Sequence, residues 1–403
     1  MLEGFNLDKT YQFLLVTLAF LLPLTVFGGN LVIVIICILW IISGDYRSKF
    51  SQIIKSKLLI ASILFFFLHI IGLIWTEDLS WGLHIVHKMW YFVLLLPILY
   101  TIVKKDYIGK YIAAFLLAIS ITEIFSYLVW FEFIGEFKNA THTNPTPFMS
   151  HVSYNPILAF AIYLVLHELF FNKKIANLKM YLYGFFAITM SVNMFITGGR
   201  AGQVAFFLML SILIFQILDK QRIKAFIAIF IFIPGIFFTA YQTSHLFQER
   251  VNLALNNISN YSELKDAAIN TSVGSRINFA INSFEIIKKN PIIGVGTGDF
   301  PNEYNIIHQI NSPKMKSTTN PHNMYILLLV QLGLVGTLSM LSIFYYQIKI
   351  SFNSSSKFIR DAGLTLPLMF LVLMLSDSYL LGHFTTLLFI FFSSFLYKDF
   401  EQH

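Results

Sequence analysis

Apolar runs long enough to cross a bilayer recur twelve times along this 403-residue chain, and no other feature narrows its possible folds as much. Crossing the hydrocarbon takes roughly 17–25 helical residues. The runs lie near 11–28, 30–44, 57–75, 88–103, 111–133, 153–171, 179–197, 201–217, 223–241, 322–347, 361–377 and 380–397, of which the second and fourth are short. In lipid every backbone N–H and C=O needs an internal partner, so a spanning segment is either a helix or a strand of a closed barrel. The runs lack the two-residue alternation of barrel strands. Composition agrees, because 56% hydrophobic and 12% charged residues do not describe a soluble domain. The expected fold is all-α, a polytopic integral membrane protein with about twelve transmembrane helices.

Basic residues in short loops are retained on the cytoplasmic side, so their distribution sets the orientation. With the N-terminus inside, eighteen lysines and arginines fall in cytoplasmic segments and three (Lys88, Lys138, Arg200) in short external loops. The segment 242–321 carries the remaining seven, but long loops translocate largely regardless of charge. The chain thus divides into helices one to nine over 1–241, a periplasmic loop region over 242–321, and helices ten to twelve with a short cytoplasmic tail over 322–403. Both termini are expected inside. The net charge of +7 is mostly this topology signal, and no basic patch with interleaved aromatics points to nucleic acid. The first run lacks a small-residue cleavage site and reads as a retained helix. The single cysteine, Cys37, lies inside a run, which rules out a disulfide framework and a cysteine-based zinc site.

Within the long loop, RINFAINSFEIIKK at 276–289 sets Ile277, Ala280, Ile281, Phe284 and Ile287 at helical spacing. Ser275 reads as its N-cap, Lys288 and Lys289 suit its last turn, and Asn290-Pro291 stops it. The loop is therefore expected to hold short helices. Glycines 294, 296 and 298 follow; no strand precedes them, so a dinucleotide fingerprint is excluded and a tight loop on the membrane surface is expected.

Three cations mark the external side. Arg200 ends ITGGR at one edge of a run, Arg276 opens the loop helix, and Lys88 begins the fourth run. An arginine at a helix start is unfavourable, since the helix dipole is itself positive there. An anion at the same place removes the conflict, because free N–H groups and a guanidinium fork together suit phosphate. The competing reading has Arg200 and Lys88 snorkelling to headgroups and Arg276 solvated. His322 and Asn323 stand at the mouth of the tenth run, in PHNMYILLLVQLGLVG.

Taken together these residues resemble the O-antigen ligase/polymerase superfamily, specifically the lipopolysaccharide O-antigen ligases. The ligase signature is His, then Asn, Ser or Gln, nine residues, Gly, two residues, and Gly, Thr or Val. His322-Asn323, the nine residues Met324 to Leu332, Gly333, Leu334, Val335 and Gly336 match it fully. TGGRAGQ around Arg200 is similar to the family's small-residue-arginine element, with Gly199 where a serine is frequent, and SRINFA with NPIIGVGTGDF resembles its periplasmic arginine and glycine-loop element. The likeness spans roughly 60–397, counting IGLIWTEDLS and the following Lys88, and is most specific over 197–336.

The resemblance implies a glycosyltransferase of the bacterial inner membrane with its active site facing the periplasm. It would move O-antigen from a polyprenyl (undecaprenyl) diphosphate donor to a sugar hydroxyl of the lipid A-core acceptor. Such a donor carries its own leaving group, so the protein must supply cations for the diphosphate and a base for the acceptor proton. Arg200 and Arg276 fit the first role, with Lys88 a weaker third; His322 fits the second, imidazole being the side chain that changes charge near neutrality. Asn323 would orient the ring or bind a sugar, His151 in the external loop would contact substrate, and Gly333 and Gly336 would permit close helix packing. No cofactor and no metal is implied: there is no HExxH, and His142 and His151 are too far apart to pair as ligands. An O-antigen polymerase or a protein O-oligosaccharyltransferase of the same superfamily remains the nearest alternative. The ionisable residues His69, Glu123, His167, Asp377 and His383 keep a lipid-linked glycan flippase or other transporter open, although no inverted repeat of broken helices is evident. Asp377, closing the eleventh run, reads as paired or solvated.

Overall fold

A computed structural model describes residues 6–259 and 272–400. Residues 260–271, inside the loop read as 242–321, lie outside the described residues. Among the described residues every named element is helical: α1 (Leu7–Leu21), α2 (Val26–Ile42), α3 (Tyr46–Lys55), α4 (Lys57–Ile71), α5 (Leu79–Trp90), α6 (Leu96–Ile102), α7 (Ile108–Trp130), α8 (His151–Phe171), α9 (Asn177–Ile196), α10 (Arg200–Ile217) and α11 (Arg222–Thr243). Then come α12 (His245–Ser259), α13 (Ser272–Lys289), α14 (Phe300–Asn311), α15 (Met324–Phe352), α16 (Lys357–Leu373) and α17 (His383–Leu396).

Each of the twelve apolar runs falls on a helix. Seven helical segments are long and apolar enough to cross a membrane, or eight if α2 and α3, bent by 115° at their junction, count as one span. The runs on α1, α9, α16 and α17 are helices of 14 to 20 residues. The fourth span begins earlier than its hydropathy suggests. It runs from Leu79 to Ile102 through a π-helical turn at Tyr91–Leu95, so Lys88 sits in the last turn of α5 rather than at the start of a helix. Asp78 starts that span by accepting a hydrogen bond from the Trp81 N–H (2.9 Å), a cap that outweighs the polar histidines behind it.

A helix that is apolar all round belongs in the middle of a bundle, and two helices fit that rule. Every residue from Tyr154 to Val165 of α8 and from Thr385 to Leu396 of α17 is buried. By contrast α11 buries only Ala225 and Ala240, leaving its phenylalanines and isoleucines on the outside where lipid would meet them. Between α11 and α15, α12, α13 and α14 fold against one end of the bundle, where α8, α10 and α15 begin and α16 ends.

Two expectations for that stretch need correction. α13 begins at Ser272, so Ser275 lies inside the helix and Arg276 in its second turn. Its buried face also differs from the apolar stripe: Ile281 and Phe284 are exposed, while Phe279, Asn282, Ser283 and Ile286 are buried. Asn282 is drawn inward by α14 and the turn after it, donating to Ser312 Oγ (2.9 Å) and Tyr304 Oη (3.3 Å). Hydrogen-bond partners 22 and 30 residues away override a local apolar pattern.

The glycine segment is tight, as expected, and it packs into the bundle rather than only against its outside. It inserts into a break in α15 at Gly333, whose φ is +61° and whose added Cβ would meet the Ile292 carbonyl carbon at 2.3 Å. Val295 and Gly296 N–H groups donate to the Val330 and Gln331 carbonyls (2.8 and 3.0 Å), and Leu334 and Val335 donate back to Pro291 and Ile292 (2.9 and 3.1 Å). Thus Gly333 opens the helix so that another backbone can complete it, which is a different role from helix-on-helix packing. Asp299 then ties this loop to the IGLIWTEDLS turn, its carboxylate accepting the Glu77 and Asp78 N–H groups at 2.8 to 3.0 Å.

Candidate active site

His322 is held from three sides. Its backbone is left-handed (φ +52°), a conformation costing roughly 1–2 kcal/mol for a side-chain-bearing residue. The Asn320 side chain helps maintain it, accepting the His322 N–H (2.9 Å) and the Ser378 hydroxyl (2.9 Å) on one oxygen. The imidazole lies face to face with Phe279 (centroids 6.1 Å, 27°), and its Nδ1 is 3.2 Å from Asp377 Oδ1. Asp377 also accepts the Ser378 N–H at 2.7 Å. Burial works to raise the Asp377 carboxyl, but the His322 hydrogen bond and charge, the Ser378 N–H and the Arg276 charge outweigh it and hold it below the usual carboxylate range.

An ionised Asp377 is acceptor-only, so Nδ1 carries the imidazole proton and Nε2 presents a lone pair. Nε2 has no partner among the described residues, and the side chain is 40% exposed. The arrangement is that of an oriented base with an open face. Asn323 is engaged within the protein: its Oδ1 caps α15 by accepting the Ile326 N–H (3.1 Å), and its Nδ2 donates to the Leu375 carbonyl (3.0 Å).

The arginines converge on the same end. Arg200 is the first residue of α10 and half-buried, within electrostatic range of Arg276 and Arg250. The half-buried Arg276 in turn lies within electrostatic range of Asp377 and Tyr379, one helical turn before the Phe279 that stacks on His322. α13 therefore carries one cation and one side of the base's pocket. Glycine at 199 and 202 is what lets α10 start this close to α8. A Cβ at Gly199 would lie 2.6 Å from the His151 carbonyl oxygen, and one at Gly202 would lie 2.3 Å from Asn155 Cβ. A serine at 199 would not fit this packing.

His151 opens α8 beside them, sharing the charges of Arg250 and Arg200. Asn144 holds it, its Nδ2 donating to His151 Nδ1 (3.0 Å) while its Oδ1 accepts the Gly198 N–H (2.9 Å). With Nδ1 accepting, His151 Nε2 carries a proton and can donate. Lys88 is not brought into this group by any hydrogen bond or ion pair among the described residues; the side chain within electrostatic range of it is His84, one turn earlier on α5.

Arg250 was not singled out by sequence. It lies on α12 with Nη2 3.8 Å from where a Gly198 Cβ would be, a third guanidinium facing the small-residue turn. Nothing local marks it, since it lies in an ordinary amphipathic stretch. Asp377 was read only as paired or solvated, because 55 residues separate it from His322. The other ionisable residues are placed apart: the buried Asp361 meets His167 (3.2 Å) and the partly exposed Lys357 (3.0 Å), His69 Nδ1 meets the Phe65 carbonyl (2.9 Å), and His383 meets Tyr91 (2.6 Å). Glu123 is buried.

Next to the arginines an elongated, mostly apolar cavity of 1160 Å³ runs between α9, α10 and α11. Phe195, Phe206, Ile231 and Phe232 wall it, and its polar rim of Ser244, His245 and Glu249 leads directly to Arg250. Among the described residues no three His, Cys, Asp or Glu side chains gather as a metal-binding group.

Comparison with known families matches residues 185–341 to the O-antigen ligase model. That stretch holds Arg200, Arg250, Arg276, His322 and the Gly333 break. No curated protein matches the chain.

Proposed function

We propose that this multi-pass membrane protein, whose residues 185–341 match the O-antigen ligase model, transfers O-antigen polysaccharide from undecaprenyl diphosphate to a sugar hydroxyl of lipid A-core on the periplasmic face of the inner membrane. One observation carries this reading: a histidine oriented by a carboxylate, with its second nitrogen open, sits at the same end of the bundle as Arg200 and the two arginines within electrostatic range of it, Arg250 and Arg276. A diphosphate has the charge those arginines lack, and the apolar cavity beside them suits an isoprenoid chain.

The proposed reaction is a substitution at the anomeric carbon. The acceptor hydroxyl oxygen forms the new C–O bond, the bond from that carbon to the phosphate oxygen breaks, and the lipid diphosphate leaves with the electron pair. His322 Nε2 takes the hydroxyl proton, and Asp377 stabilises the imidazolium that results. Arg200, Arg250 and Arg276 offset the charge growing on the leaving oxygen; removal of a single such group costs 10²–10³-fold in comparable sites. His151 Nε2–H donates to the donor or its sugar.

The test is a lipopolysaccharide gel of a deletion strain complemented with wild type or His322→Ala, alongside detection of carrier-linked glycan. The expected variant phenotype is bare core with polymerised glycan retained on the carrier. Core bearing a single repeat would identify a polymerase instead, and an unchanged ladder would remove His322 from the chemistry.

A further inference from the structure

The opposite end of the bundle carries a second convergence of cations. Lys55 ends α3, Lys57 opens α4, Lys105 follows α6, Lys349 lies in the last turn of α15 and Lys398 follows α17. All five line one cavity of 480 Å³. Lys349 lies 25 residues beyond Met324, roughly 37 Å along α15 from the His322 end at a rise of 1.5 Å per residue. The arginine site is therefore not involved.

Lysines retained for orientation alone need only lie near the helix ends, and mutual repulsion favours spreading them into solvent. Here four separate chain segments bring the five to one recess. Against them stands a single lining carboxylate, Asp399, and no carboxylate lies within ion-pair distance of any of the five among the described residues. Lys398 is half-buried. Burial and the neighbouring Lys104 push its ammonium down to about 8, although it donates to the Thr101 and Val103 carbonyls (3.3 and 3.1 Å). The start of α4 adds its positive dipole to Lys57. The hydroxyls of Ser354 and Ser355, also facing the recess, make no hydrogen bond among the described residues. Lysine ammoniums, unpaired hydroxyls and a helix N-terminus are the donors that phosphate oxygens take. Tyr100 and Tyr346 give the same recess an aromatic wall of the kind found at a bilayer interface.

We propose that this recess is a binding site for a phosphate-bearing anion, supplied either as the headgroup of an anionic lipid or as free phosphate. The full-length protein in detergent is mixed with phosphatidylcholine, phosphatidylglycerol or cardiolipin, and retained lipid is read by native mass spectrometry. Anionic lipid is expected to be retained at least about tenfold over phosphatidylcholine. Each lysine near a charged headgroup contributes about fivefold, so Lys105→Gln with Lys349→Gln should weaken retention about 25-fold. Lys220→Gln with Lys224→Gln, exposed residues at the same end outside the recess, should leave it unchanged. Inorganic phosphate titrated into the protein in phosphatidylcholine nanodiscs separates the sources: a rise in melting temperature that the recess variants lose assigns the site to free phosphate, and no rise with anionic-lipid retention assigns it to a headgroup. Equal retention of all three lipids with no phosphate effect overturns the proposal, and this outcome needs no variant. Equal loss in both double variants overturns it as well.

Discussion

The His322 ring nitrogen Nδ1 and the Asp377 carboxylate lie 3.2 Å apart across 55 residues of chain, one at the start of α15 and the other just beyond the end of α16. The pairing fixes which imidazole nitrogen is left open. Asp377→Asn keeps the shape but removes the acceptor-only carboxylate that fixes the ring tautomer. Transfer should fall. The folded Asp377 carboxyl is held below its ordinary value, so its pairing stabilises the protein above about pH 4 and that contribution fades as pH falls further, through the folded value. Asp377→Asn should accordingly lose melting temperature at neutral pH and less of it in acid. Transfer at the wild-type rate in the folded variant would separate Asp377 from the role of His322.

Arg200→Ala, Arg250→Ala and Arg276→Ala should each lower transfer about 10²-fold or more, with lysine at the same positions restoring only part, because a point charge cannot grip two oxygens. Arg250 is the sharper test, since only its place beside the Gly198 turn nominates it. Full activity in a folded alanine variant would make that arginine a structural or headgroup contact.

In the proposed reaction three guanidiniums take on the electrostatic work that a divalent cation does in many diphosphate-dependent transferases. Transfer by the purified protein should survive dialysis against EDTA without added Mg²⁺ or Mn²⁺. Loss on dialysis and recovery on adding either ion would show that the diphosphate site has been assigned to the wrong groups.

Gly333→Ala should destabilise the protein by about 3 kcal/mol or more, combining a left-handed backbone with a Cβ that overlaps the Ile292 carbonyl carbon. Gly109→Ala, with nothing within 4 Å of its Cβ, should stay within about 0.5 kcal/mol of wild type. Equal melting temperatures for the two variants would remove the inserted loop as a stabilising element.

Cysteine labelling of intact cells should reach positions in 242–321 from outside and both termini only after permeabilisation, as the eighteen-to-three basic asymmetry requires. Labelling of the loop from the cytoplasm alone would place the arginines on the wrong side for a periplasmic acceptor.

Apolar length is a property of consecutive residues, so the sequence by itself determined that the chain is a helical membrane protein and roughly where each helix lies, and it marked Arg200, Arg276 and His322 through motifs that resemble one family's. The seven strongest spans and the helical state of the remaining runs follow from hydropathy, because a backbone in lipid has no alternative to the helix. Partners distant in the chain leave no periodic trace, and those only the tertiary structure decided. Asp377 meets His322 because α15 and α16 run antiparallel, which puts the start of one beside the end of the other. Arg250 joins Arg200 because α12 folds back over the turn before α10, and nothing in the residues around it announces that. Gly333 could be marked from its motif, but its function could not, since a helix-breaking glycine and a helix-packing glycine look alike until the 291–296 backbone is seen filling the break. The buried face of α13 was misread for the same reason: Asn282 is inside because Ser312 and Tyr304 are there to meet it. Local patterns report what each segment needs buried, and the choice of what buries it is made between segments.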